Sequence, residues 1–92
     1  MKVVKLTISG KVQGVEYRRW FAQYAGALGL KGYVQNLASG AVEALLLGHD
    51  GVVAELVNCA KVGPTHAVVT DVVIVGLASE QQKFTDFQVR RE

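Results

Sequence analysis

The stretch Val4-Lys5-Leu6-Thr7-Ile8-Ser9-Gly10-Lys11-Val12-Gln13-Gly14-Val15-Glu16-Tyr17-Arg18 changes its pattern partway along. Val4, Leu6 and Ile8 alternate with Lys5, Thr7 and Ser9, the period of a strand with one buried face. From about Tyr17 to Leu28 the apolar positions Tyr17, Phe21, Tyr24, Ala25 and Leu28 recur at helical spacing and mark one face of a helix. Between the two lies a glycine-bearing turn from Gly10 to about Glu16. Backbone N–H groups in such a strand-to-helix turn can converge on an anion, and the helix N-terminus adds about half a unit of positive charge. Arg18 falls in the first helical turn. Helical side chains lean toward the N-terminus, so its guanidinium can reach back over the loop and grip an oxyanion through two parallel hydrogen bonds.

The elements that follow complete a fold. Gly29 supplies a helix stop, and Lys31 to Leu37 and Ala41 to Gly48 read as two strands joined by the tight turn Ala38-Ser39-Gly40. The run Leu45-Leu46-Leu47 argues for a central position in the sheet. Beyond His49-Asp50-Gly51, with Asp50 as the expected N-cap, Val52, Val53, Leu56, Val57 and Ala60 trace a second amphipathic helix that Gly63-Pro64 ends. Val68 to Val75 is strongly β-branched, and Phe84 to Val89 offers a final strand with Phe87 and Val89 on one face. The order βαββαβ, with a short extra strand at the C-terminal end, predicts an α+β sandwich. Two helices cover one face of a mainly antiparallel sheet, the ferredoxin-like plan. Residues 1–92 are expected to form a single domain, since no linker, repeat or low-complexity tract interrupts them and Pro64 is the only proline.

Composition narrows the classes of function. A chain of 92 residues, half of them hydrophobic, can bury roughly 60–70% of the surface its unfolded form exposes, enough for a core without staples. Lys plus Arg exceed Asp plus Glu by only 10 to 8, which gives no electrostatic footprint for duplex nucleic acid. Ala41 to Gly48 also lacks the aromatic pair with which a sheet of this type stacks RNA bases. The lone Cys59 rules out an intrachain disulfide and fits a reducing compartment, so a cytoplasmic location is expected. Neither a signal-peptide core nor an apolar run of membrane-spanning length is visible, and no membrane association is expected. The expected state is a monomer. A dimer is compatible with it, because the third and fourth strands are apolar enough to leave part of the helix-free sheet face hydrophobic.

Two motifs together carry a resemblance to a family. The loop from Gly10 to Arg18, with Ile8 two positions before it, resembles the phosphate-binding signature of the acylphosphatases. Gly32-Tyr33-Val34-Gln35-Asn36, followed by Gly40, Val42 and Gly48, resembles the same family's asparagine motif at the right spacing. The resemblance extends over essentially the whole chain. It implies hydrolysis of the carboxyl–phosphate anhydride of acyl phosphates such as acetyl phosphate or bisphosphoglycerate, with inorganic phosphate as product or inhibitor. It also implies that Arg18 binds substrate, that Asn36 positions the attacking water, and that the amides of Gln13, Gly14, Val15, Glu16, Tyr17 and Arg18 form the phosphate cradle. No cofactor or metal is expected. Phosphoryl transfer is catalysed largely by positioning and charge stabilisation, and a carboxylate leaves without a general acid because its conjugate acid has a pKa near ~4–5. The alternative is a phosphate- or partner-binding module of the same design without turnover.

Two residues depart from the family's pattern. Glu16 stands where glycine or an uncharged residue is common; it is expected to face outward and favour the helix N-terminus, the alternative being a carboxylate ~6 Å from a phosphate that repels it by ~3 kcal/mol at an effective dielectric of ~20 and weakens substrate binding or shifts specificity. Tyr17 replaces a phenylalanine, its ring expected to pack and its hydroxyl to reach water. The other chemically capable residues read as structural. Arg19 points about 100° away from Arg18 around the helix. His49 and His66 have no second Cys or His nearby at ligand spacing, Cys59 reads as a small buried hydrophobe, and Trp20, Phe21 and Tyr24 read as packing groups.

Overall fold

The alternating pattern that starts at Val4 is the middle of a ten-residue strand. In the computed structural model, which describes residues 2–78 and 84–90, the chain runs β1 (Lys2–Lys11), α1 (Tyr17–Ala27), β2 (Lys31–Asn36), β3 (Val42–Gly48), α2 (Asp50–Ala60), β4 (Val68–Leu77) and β5 (Phe87–Val89). The strands form one sheet in the order β4-β1-β3-β2-β5. All neighbours are antiparallel except β5, which runs parallel to β2. This is the ferredoxin-like α+β plan with a short extra strand at one edge. The triple-leucine strand β3 is central, as its apolar character on both faces requires.

The register explains the core. Val4 lies opposite Leu46, Leu6 opposite Ala44 and Ile8 opposite Val42, so these side chains share the face on which both helices pack. Phe21 and Ala25 of α1 meet Val53, Leu56 and Ala60 of α2 above them, all buried. Each large side chain removed from water here contributes on the order of 1.5–3 kcal/mol. On the opposite face Val3, Leu45 and Leu47 form a second, smaller cluster against which Tyr33 and Phe84 pack. The helix-free face is therefore only partly open: beside this cluster Val73, Val75 and Leu77 of β4 remain exposed.

Three local expectations are corrected. The residue at the N-cap of α2 is His49, in an extended conformation, and Asp50 is the first helical residue. The Asp50 carboxylate thus serves the first turn through the helix dipole, without a side-chain capping hydrogen bond. Within the stretch from Phe84 to Val89 only Phe87–Val89 is strand; Phe84 packs against Tyr33, with ring centroids 5.9 Å apart, whereas Phe87 packs against Phe21 at 5.8 Å. Tyr24 is 45% exposed, although its ring rests 5.1 Å from that of Trp20.

One glycine shapes the approach to the loop. At Gly10 (φ 122°) the register of β1 against β4 shifts, a bulge at which a Cβ would collide with the Val68 carbonyl. Such a bulge bends the strand and re-aims the chain that follows. It delivers residues 12–16 to the N-terminus of α1.

Candidate active site

The loop between β1 and α1 curls because two of its residues have left-handed backbone, Gly14 at φ 75° and Glu16 at φ 59°. Glycine adopts this conformation without cost, while a glutamate does not. Glu16 is the N-cap: its carbonyl accepts the first bond of the helix, from the Trp20 N–H at 3.0 Å. Among the described residues the amides of Gly14 through Arg19 donate to no backbone carbonyl, so they are free to serve an anion. The curled loop and the helix start border a cleft of about 360 Å³, to which Gly14, Glu16, Arg18, Arg19, Asn36 and Val89 all contribute. Arg18 comes from α1 and Asn36 from the last position of β2, opposite Val42 of β3. The fold thus brings together both side chains that the two sequence motifs single out.

A larger cleft of about 530 Å³ lies elsewhere, between Leu28–Lys31, Leu47–His49 and Val52. It is bordered mainly by apolar side chains and contains neither Arg18 nor Asn36. Volume is a poorer guide here than the convergence of polar groups in the smaller cleft.

Three contacts hold the smaller cleft in shape. The side chain of Gln13 donates to the carbonyls of Leu37 and Ala41, at 2.8 and 2.9 Å, and so ties the loop to the hairpin that carries Asn36. The hydroxyl of Tyr17 donates to the Ala60 carbonyl at 2.7 Å and links the start of α1 to the end of α2. It does not reach water as the sequence suggested: the residue is fully buried, and burial raises its pKa above the ordinary phenol value. Arg18 Nη1 donates to the carbonyl of Arg90 at 2.8 Å. The Gln13 and Arg90 contacts had no signal in the sequence, because a glutamine side chain in a loop and a main-chain carbonyl near the end of a strand are ubiquitous.

Glu16 turns its carboxylate outward. The side chain is 77% exposed and lies 3.6 Å from the equally exposed Arg19, a pair worth little to stability. Its left-handed backbone, in contrast, carries a cost of about 1–2 kcal/mol that glycine would avoid. Allowing for the greater entropy of glycine in the unfolded chain, Glu16→Gly is expected to stabilise the fold by about 0.5–1 kcal/mol, raising Tm by roughly 3–6 °C. A circular-dichroism melt checks this, and an unchanged or lower Tm would show that the conformation is unstrained.

Among the described residues, Tyr33, His49, His66 and Cys59 do not border the cleft of Arg18 and Asn36. Tyr33 donates its hydroxyl to Glu43 at 2.9 Å, and partial burial together with that carboxylate pushes its pKa up to about 12, against an opposing pull from Arg90. His49 borders the larger cleft, His66 is exposed in a turn, and Cys59 packs at the margin of the core. No three His, Cys, Asp or Glu side chains gather into a cation site among the described residues.

Comparison with known proteins bears on this arrangement. The acylphosphatase family model matches residues 4–89. An acylphosphatase of Rhodospirillum rubrum is 43% identical over 82 residues, covering 89% of this chain and 90% of its own. One from Methanothrix thermoacetophila is 41% identical over 86 residues, covering 94% and 93%. Among solved structures, the acylphosphatase from Bacillus subtilis superposes with a TM-score of 0.93 at 26% identity, over 99% of this chain and 100% of that one. The acylphosphatase from Coxiella burnetii gives 0.91 at 34% identity, over 97% and 92%.

Proposed function

We propose a reaction for this chain on the ground that it belongs to the acylphosphatase family: it hydrolyses the carboxyl–phosphate anhydride of acyl phosphates to a carboxylate and inorganic phosphate. The observation that carries the mechanism is the cleft at the start of α1, where Arg18 and Asn36 converge from separate elements beside the unpaired loop amides. The phosphoryl group sits at the helix N-terminus, its equatorial oxygens held by the amides of Gln13 through Arg18 and by the Arg18 guanidinium. These donors face charge that spreads over the oxygens in the transition state. The Asn36 side-chain amide holds a water in line behind phosphorus. The water oxygen forms the new bond to phosphorus, the bond to the carboxylate oxygen breaks with its electron pair, and the proton of the water passes to solvent or to the phosphate product.

No general acid is needed, since the carboxylate leaves as a stable anion. The positive charge that a metal supplies in many phosphoryl-transfer sites comes instead from Arg18 and the helix N-terminus. Glu16 fits this reading because its carboxylate is turned to solvent beside Arg19, where screening keeps its repulsion of a bound phosphate well below the ~3 kcal/mol of a fixed charge pair at ~6 Å. A free cysteine at position 59 supports the cytoplasm as the compartment.

The test is hydrolysis of acetyl phosphate with and without a strong chelator. Equal rates are expected. A rate that collapses on chelation and returns with a divalent cation would overturn metal-independent catalysis, and phosphate binding without any hydrolysis would make the chain a binding module.

A further inference from the structure

Arg18 reaches the cleft on a long side chain with several rotatable bonds, and an unsupported guanidinium would lose much rotational freedom on gripping a phosphate. It is not unsupported. One of its N–H groups already donates to the Arg90 carbonyl at 2.8 Å, and among the described residues the others make no hydrogen bond. Arg90 in turn is held in two ways. Its backbone N–H donates to the Val34 carbonyl of β2 at 2.9 Å, extending the parallel pairing of β5 by one residue. Its own guanidinium lies 4.0 Å over the ring of Tyr33 and 5.8 Å from that of Phe84. The Tyr33 ring is itself fixed, because its hydroxyl donates to Glu43 Oε1 at 2.9 Å and the Gln35 side chain donates to the same oxygen at 2.8 Å. The two faces of the sheet are thereby coupled: the cation–π stack lies on the helix-free side, while the carbonyl it steadies meets an arginine of the helix layer.

We propose that Arg90 is a positioning residue for Arg18, its carbonyl, held by β2 and by the Tyr33 ring, pre-setting the guanidinium over the phosphate loop. The proposal rests on the reading of Arg18 as the phosphate ligand. Removing the Arg90 side chain leaves the carbonyl in the chain but takes away its aromatic anchor, so Arg18 must be ordered by substrate alone. The cost falls on binding, about fivefold, because pre-organisation is lost while every donor remains.

The experiment uses Arg90→Ala, Arg90→Lys and Tyr33→Leu. Expected for Arg90→Ala and Tyr33→Leu is a KM for acetyl phosphate and a Kd for inorganic phosphate each raised about fivefold, with kcat within twofold. Arg90→Lys recovers part of the loss, since an ammonium also rests on an aromatic face. The direct readout is the mobility of the Arg18 Nε–H by NMR relaxation in the free protein. Its order parameter should fall below about 0.6 in Arg90→Ala, whatever the protein hydrolyses. An unchanged Arg18 order parameter overturns the proposal even if KM rises, since Arg90 would then act other than through Arg18. A KM and phosphate Kd within twofold of wild type overturn it as well. Absence of acetyl-phosphate hydrolysis in the wild type, with Arg18 loosened in the variant, would instead remove the assigned reaction and leave the positioning intact.

Discussion

Arg18→Ala is expected to lower kcat/KM for acetyl phosphate by about 10³-fold or more, since it removes the one cationic side chain assigned to the transferring group. What remains is the half-charge of the helix N-terminus and the loop amides, which can still hold a phosphate weakly. Both parameters should move: KM rises because a charge-assisted, two-pronged contact to the ground state is lost, and kcat falls because that contact strengthens as charge spreads over the phosphoryl oxygens. Arg18→Lys restores a point charge but not the planar fork, so it should recover only part of the loss. The fold should tolerate either change, because Arg18 is only partly buried and its hydrogen bond to Arg90 is an exposed one. Steady-state kinetics beside a thermal melt separate the two effects. A variant that retains a tenth of wild-type kcat/KM with an unchanged melt would remove Arg18 from the mechanism.

Asn36→Ala acts on the other partner of the reaction. Its backbone pairing with Val42 does not depend on the side chain, so the hairpin and the cleft should survive. If the amide orients the attacking water, kcat falls about 100-fold, the scale of losing one well-placed donor, while KM and phosphate affinity stay within about threefold. This separation of turnover from binding distinguishes Asn36 from Arg18, whose loss weakens both. Normal turnover in the Asn36 variant would eliminate the assigned role, and a matching loss of phosphate affinity would make Asn36 a second ligand for the phosphoryl group.

Contacts close in sequence were legible without coordinates. The switch from alternation at Val4–Ile8 to helical spacing after Tyr17 placed β1, the loop and α1, because each pattern is a local consequence of backbone geometry. Leu45-Leu46-Leu47 pointed to a central strand because only there can both faces be buried. Where expectation and structure part, the deciding interaction is small or distant. His49 rather than Asp50 caps α2, a difference of one residue that helix ends commonly show. Phe84 packs on the helix-free face against Tyr33 instead of continuing β5, a choice set by the apolar patch of Val3, Leu45 and Leu47.

The sequence alone determined the elements and their order, since hydrophobic period acts over a few residues; it pointed to Arg18 through the loop-to-helix pattern and to Asn36 through the resemblance of its motif to the family's. Only the tertiary structure decided how those side chains are held. Gln13 reaches a partner 24 residues away, Tyr17 one 43 away and Arg18 one 72 away, and each partner is a backbone carbonyl. Every residue carries such a carbonyl, so no residue type announces which one will be used; the choice appears once sheet order and helix packing have set the chain's distant parts side by side.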